Sequence, residues 1–343
     1  MRNYGKRRET APSSKKKDFA EQSHPELLTP HSSLLTHKYT IGFDLGSNTL
    51  RAVKYDCTSR EFVAEYEKIV RTAEGLVESG RISEAAIGRV IEAVHEARER
   101  LGCDDAKIRA VATEAMRRAA NREEVLQRIE DETGIRFEVI DGEEEARLTL
   151  LAVRERLKRL GIDAESFVMV DIGGGSTELV FNYREEIVSR SFPLGIVTLS
   201  QEAGGWRNVP AALEKHLPTL KGFIGDVYAH QGKPRLFSAT AGTPTTVAAL
   251  KLGMDYESYD SARINGTRLC RQDLEKTLQM LLAMNPEERQ KAVGVGRDDL
   301  IAAGILIFDA LFDLLGFEEC IVIDDGLREG VAVSLCEDET ARD

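Results

Sequence analysis

The sequence predicts an α/β fold made of two similar halves. Three observations carry this reading. The chain has 343 residues, 42% of them apolar, which is enough for more than one core. Short strand-like runs alternate with helical stretches instead of segregating. The order three strands, helix, strand, helix also occurs twice, and an aspartate closes the first strand of each copy. These aspartates are Asp44 and Asp171, 127 residues apart.

The elements follow in order. Residues 1–38 are rich in Lys, Ser, Thr, Pro and His and read as a disordered basic tail, with no apolar run that would make a secretory signal. Apolar β-formers predict strands at 39–44, 50–55 and 61–70. The stretch 83–101 has helical periodicity, with Ser83 as N-cap and Gly102 just past its end. A strand at 107–112, helical stretches around 114–132 and a strand at 136–140 complete the first half. The second half repeats this with strands at 167–171, 177–181 and 186–192, a helix at 211–228, a strand at 235–239 and a helix at 243–250. Helices at 271–284 and 298–315, a strand at 319–323 and a last helix at 327–335 close the chain. The expected domains are 39–142 plus 327–343, the last helix packing back, and 143–326.

Charge and cysteines narrow the function. Net charge is −12. The tail holds eight Lys and Arg against four Asp and Glu, so the remainder carries −16. Such a body is a poor general partner for nucleic acid, and a polyanion would need local donors. No apolar run is long enough for a membrane helix; 300–317 is broken by Asp309 and Asp313. The five dispersed cysteines (57, 103, 270, 320, 336) read mostly as small core residues in a reducing, cytoplasmic setting.

Two glycine segments stand out: Gly42-Phe-Asp-Leu-Gly-Ser-Asn-Thr and Val170-Asp-Ile-Gly-Gly-Gly-Ser-Thr-Glu. Glycine permits tight turns and close backbone approach, so amides can converge on phosphate oxygens. The candidate phosphate-binding residues are Gly46, Ser47, Asn48, Gly173, Gly174, Gly175 and Ser176. Asp44 and Asp171 could each hold a metal, mostly through water. A third segment, 238–246, places Thr243 as a helix cap near an anion-attracting N-terminus. Asp141 with Glu144 forms a capping-box pattern that sets Glu145 in the first turn of a helix, facing inward with Leu148 and Ala152.

These segments, with Ala112-Thr-Glu-Ala-Met-Arg-Arg-Ala-Ala-Asn, Gly142-Glu-Glu-Glu-Ala-Arg-Leu and Gly326-Leu-Arg-Glu-Gly, resemble the exopolyphosphatase and guanosine pentaphosphate phosphatase family. That family lies within the superfamily of actin, Hsp70 and sugar kinases. The resemblance implies two ribonuclease H-like domains around a cleft and hydrolysis of terminal phosphoanhydrides with Mg2+, or Mn2+ in its place. It implies Glu145 as the catalytic carboxylate, Glu178 as a second essential acid that also serves the metal with Asp171 and Asp44, and Arg117 as a phosphate-contacting arginine. Polyphosphate or guanosine polyphosphate is the implied substrate, with no nucleic-acid or membrane partner, and a homodimer is allowed. Two features depart from the pattern. Asp324-Asp325 stands where relatives often have Ser-Asp, an extra negative charge that would be awkward if phosphate passes close by. The sequence also ends soon after Gly326-Leu-Arg-Glu-Gly, without the helical domain of longer relatives, which points to shorter chains or a nucleotide polyphosphate. The rival readings are a superfamily ATPase or kinase using 238–246 for adenosine, and a sensor that binds guanosine tetra- or pentaphosphate without turnover.

Overall fold

A computed structural model of the chain describes residues 37–184, 186–204, 206–294 and 300–340, which belong to one compact unit. The expected tail lies almost wholly outside the described residues.

The unit holds two mixed sheets. The first has order β3-β2-β1-β4-β5, with β1 Tyr39–Leu45, β2 Thr49–Asp56, β3 Glu61–Ile69, β4 Ala106–Ala112 and β5 Phe137–Val139. The second has order β10-β11-β9-β6-β7-β8, with β6 Phe167–Ile172, β7 Thr177–Asn182, β8 Ile187–Phe192, β9 Leu236–Thr240, β10 Arg268–Cys270 and β11 Glu319–Val322. In each, three strands form an antiparallel meander, and the next strand (β4 or β9) returns parallel to the first. The repeat read from the sequence is therefore real, and the fold is α/β. Strand β10, only three residues long, carries no alternation that could reveal it.

Seven helices bear on the site: α1 Glu84–Leu101, α2 Glu114–Arg118, α3 Gly142–Arg159, α4 Ile196–Ala203, α5 Gly242–Lys251, α6 Ile301–Leu315 and α7 Leu327–Thr340. The Ser83 hydroxyl caps α1 through the Ala86 amide, and Gly102 closes it in the left-handed region, as expected. The helix expected at 211–228 is two, Val209–Glu214 and Leu217–Gln231, because Pro218 starts a new helix in place of continuing one. The expected start of the helix at 298 lies outside the described residues.

Each sheet has its own core. In the first, Ile41, Phe43 and Leu45 pack on α1. In the second, Val168, Val170 and Phe237 pack on α6. The remaining faces meet α7 and α3. Val53 and Tyr55 of β2 pack on Ala332 and Val333 of α7, with Leu151 of α3. Farther along α3, Leu150, Val153 and Leu157 pack on Phe167 and Met169 of β6. The layers therefore run first sheet, α7, α3, second sheet.

Close approach makes this possible. A Cβ on Gly42 would lie 2.3 Å from the Arg328 carbonyl oxygen, and one on Gly330 would lie 1.8 Å from that of Leu148. The Thr40 hydroxyl donates to the Ala332 carbonyl at 2.8 Å, satisfying a polar group that is fully buried.

The cysteine reading needs correction. Cys103 and Cys320 are buried thiols, as expected, but Cys57 and Cys336 are joined by a disulfide that ties α7 to the β2–β3 turn. Their separation of 279 residues hid the pairing. This bond also removes one support for a reducing compartment. Cross-linking so long a loop is worth about 3–5 kcal/mol. Urea unfolding with and without a thiol reductant should show a lower midpoint after reduction; superimposable curves would contradict the stabilising role.

Candidate active site

The two glycine turns share one design. In the first, the Asn48 carbonyl accepts from the amides of Val70 and Arg71, and the Ser47 carbonyl accepts from Ala73, all at 2.9 Å. In the second, the Gly173 and Gly174 carbonyls accept from Ile196 and Val197 at the start of α4, at 3.0 and 2.8 Å. Among the described residues no backbone carbonyl takes the amides of Ser47, Asn48, Gly174 or Gly175. Carbonyls turned back and amides left over make a nest for an anion. None of these glycines has a positive φ, so dihedral freedom is not their purpose. A Cβ on Gly175 would touch nothing within 4 Å, and bare backbone there lets a ligand come close. The sterically required glycine is one the sequence did not single out: a Cβ on Gly195 would lie 2.3 Å from the Gly174 carbonyl oxygen.

The carboxylates gather beside these turns. Asp44 and Asp171 sit near the ends of β1 and β6. Burial pushes both up to about 7. Arg51 eases both, whereas Glu145 raises both and Glu178 raises Asp171 further. Such mutual effects fall off with distance, so these groups face one site. The Asp44 Oδ1 atom is enclosed and has no hydrogen-bond partner among the described residues. Arg51 was not foreseen. It lies directly across from Asp44 in the β1–β2 register, and a charge at that cross-strand position was the available signal.

Glu145 is where the sequence placed it. The Asp141 carboxylate caps α3 by accepting the Glu144 amide at 2.9 Å, and Leu148 and Ala152 on the same face are fully buried. The capping box is only half formed, because the Glu144 side chain goes to Arg109 and Arg147 and does not return to Asp141. Arg117 Nη1 donates to Glu145 Oε2 at 3.0 Å and to the Ile140 carbonyl at 2.8 Å, while Arg117 Nε donates to Glu114. Burial raises the Glu145 carboxyl and Arg117 opposes it, with a net rise. Arg117 thus grips the candidate base directly. Glu178 Oε1 accepts from the hydroxyls of Ser176 at 2.6 Å and Ser191 at 2.7 Å. Ser191 is the β8 residue opposite Glu178, and the sequence reading missed it.

One expectation fails, and a second feature finds its partners. Thr243 does not cap α5: the N-cap is Ala241, at φ 69°. Thr243 instead lies inside, where a Cβ on Gly304 of α6 would collide with its hydroxyl. The Asp324-Asp325 charge is held by protein partners. Asp325 is buried and accepts two bonds from Arg156, at 2.7 and 2.9 Å, and Asp324 accepts from the Tyr259 hydroxyl.

Among the described residues no three His, Cys, Asp or Glu side chains converge closely enough to ligate a metal directly. No described helix is long and apolar enough to cross a membrane.

The start of α3 carries a pH dependence. Hydrogen bonds from Arg147 and Arg109 hold the Glu144 carboxyl down at about 2 against an ordinary 4.5. A depressed carboxyl contributes stability that is present above its unfolded pKa and lost as pH falls through its folded one. Glu144→Gln should therefore cost about 2 kcal/mol at pH 6, after discounting for partial exposure, with the difference from wild type vanishing between pH 4.5 and 2. Urea midpoints across that range check this; a difference that does not change with pH would rule it out.

Comparison with known proteins shows the family. A family profile described as the Ppx/GppA phosphatase family matches residues 53–339. Exopolyphosphatase 2 of Mycobacterium tuberculosis is 30% identical over 316 residues, covering 85% of this chain and 93% of that protein. The guanosine-5'-triphosphate,3'-diphosphate pyrophosphatase of Vibrio vulnificus is 31% identical over 302 residues, covering 85% of this chain and 58% of that protein. The crystal structure of the Aquifex aeolicus Ppx/GppA family member superposes with a TM-score of 0.74 at 30% identity, covering 88% of this chain and 98% of that one.

Proposed function

The chain belongs to the Ppx/GppA phosphatase family, and from that premise we propose that it hydrolyses the terminal phosphoanhydride of inorganic polyphosphate, guanosine pentaphosphate or both, releasing orthophosphate. The observation that carries the hydrolytic reading is Glu145, gripped by Arg117 and electrostatically coupled to Asp44 and Asp171.

The backbone nests at 46–48 and 173–176 hold phosphate oxygens. Glu145 takes a proton from a water that attacks the terminal phosphorus. The bridging P–O bond breaks, and its electron pair stays on the shortened chain. General-base help of this kind is typically worth ~10²–10⁴-fold. Arg51 and Arg117 supply positive charge where the phosphoryl oxygens gain negative charge.

A hard divalent cation fits the donors that remain. Asp44 Oδ1 lacks a partner among the described residues, and Asp44 and Asp171 are carboxylates in need of positive charge. Asp44, Asp171 and Glu178 would hold Mg2+, or Mn2+, largely through water. When bound, the ion would neutralise charge on the phosphoryl and leaving oxygens. We also assign 39–142 with 327–343 to one lobe and 143–326 to the other. The kinase reading finds less support, because Ser238 and Thr243 of its adenosine segment are buried.

Glu145→Gln should reduce orthophosphate release from polyphosphate and guanosine pentaphosphate by at least about 100-fold while binding of both persists. Phosphate release with calorimetric binding checks this; turnover near the wild-type rate would remove Glu145 from the mechanism. Tight guanosine pentaphosphate binding by the wild type without release from any phosphoanhydride would favour the sensor.

A further inference from the structure

Asp325 touches three elements that carry the site. Its carboxylate accepts from Arg156 Nε at 2.7 Å and Nη2 at 2.9 Å, and Arg156 lies on α3, three turns beyond Glu145. Its backbone carbonyl accepts from the Thr240 hydroxyl at 3.2 Å, and Thr240 is the β9 residue registered against Asp171. Its own chain runs into α7, whose first turn is fixed by Glu329 Oε2 accepting the Gly326 amide at 2.9 Å. That turn lies against Gly42, two residues before Asp44. A fourth contact, from Asn265 Nδ2 at 3.2 Å, completes the carboxylate, and Asn265 also accepts the Asp324 amide at 2.8 Å.

The pair is expensive to maintain. Asp325 is 5% exposed, and Glu329 and Asp324 add negative charge beside it. Buried ion pairs are seldom net stabilisers compared with apolar replacements, so geometry is the better reason to keep this one. A bidentate arginine–carboxylate contact fixes both distance and orientation.

Resting on the hydrolase reading above, we propose that Asp325 and Arg156 are positioning residues: their bidentate pair sets how far and at what angle Glu145 stands from Asp171 and Asp44. Neither side chain contacts phosphate in this role. Small errors in the placement of a catalytic group cost turnover far more than they cost binding. Burial and the neighbouring Glu329 and Asp324 carboxylates, opposed by Arg156, push Asp325 up to about 6, so the pair itself loosens in mild acid.

The test compares wild type, Asp325→Asn, Arg156→Lys and the double variant Arg156→Met/Asp325→Leu on polyphosphate. The double variant replaces the pair by apolar groups and keeps the fold if only packing matters. Each variant should lose tenfold or more in kcat with KM within threefold. The acid limb of its kcat profile should shift, because Glu145 then titrates in altered surroundings. Thermal melts report folding separately. A folded variant with wild-type kcat and acid limb overturns the proposal, as does equal loss in kcat/KM through KM alone. Unfolding of all three variants would make the pair a requirement of the fold and also overturn it. Should wild type itself release no orthophosphate, the hydrolase reading fails first and is recognised as such.

Discussion

The rest of the structure depends on how closely helix α7 is allowed to lie between β1 and α3. Two glycines permit it: Gly42 meets the α7 backbone on one side, and Gly330 of α7 meets the Leu148 carbonyl on the other. A methyl group at either position would overlap main-chain atoms, which cannot swing aside as a side-chain tip could. Because α7 is thin at these points, strand β1 and helix α3 sit near one another. Asp44 at the end of the strand is thereby brought within electrostatic reach of Glu145 at the start of the helix.

This crowding explains the electrostatics. Burial raises Asp44, Asp171 and Glu145; Glu145 raises both aspartates further, and Glu178 raises Asp171 and Glu145. Arg51 and Arg117 offset only part of that negative charge, and the enclosed Asp44 Oδ1 has no partner among the described residues. A surplus of carboxylates repels a polyanionic substrate unless cations intervene. In the proposed function, backbone amides, two arginines and a divalent ion would together supply the compensation. The disulfide between Cys57 and Cys336 holds the far end of the same helix, so α7 is fastened along its length.

Much of this was legible in the sequence, for local reasons. The meander strands are runs of apolar β-formers, Ser83 and Asp141 announce their helices, and the two aspartate-glycine turns mark equivalent points of a repeat. Glu145 was placed by a cap three residues before its neighbour Glu144, which needs no knowledge of distant residues. What stayed hidden depends on long-range pairing. Nothing local to Cys57 points to Cys336. Asp325 reads as a misplaced charge until Arg156 is seen 169 positions earlier in the chain, beside it in space. Thr243 looked like a cap because Thr often is one, but Gly304 opens a slot that draws it inside. Arg51 and Ser191 are visible only once strand registers are known.

The central claim is that water, directed by Glu145, attacks the terminal phosphorus of a chain held by the two backbone nests. The most direct measurement is hydrolysis of polyphosphate of defined length in 18O-labelled water, with mass spectrometry of both products. The account predicts one 18O atom in each released orthophosphate and none in the shortened chain. Label in the shortened chain, or pyrophosphate as the first product, would contradict it.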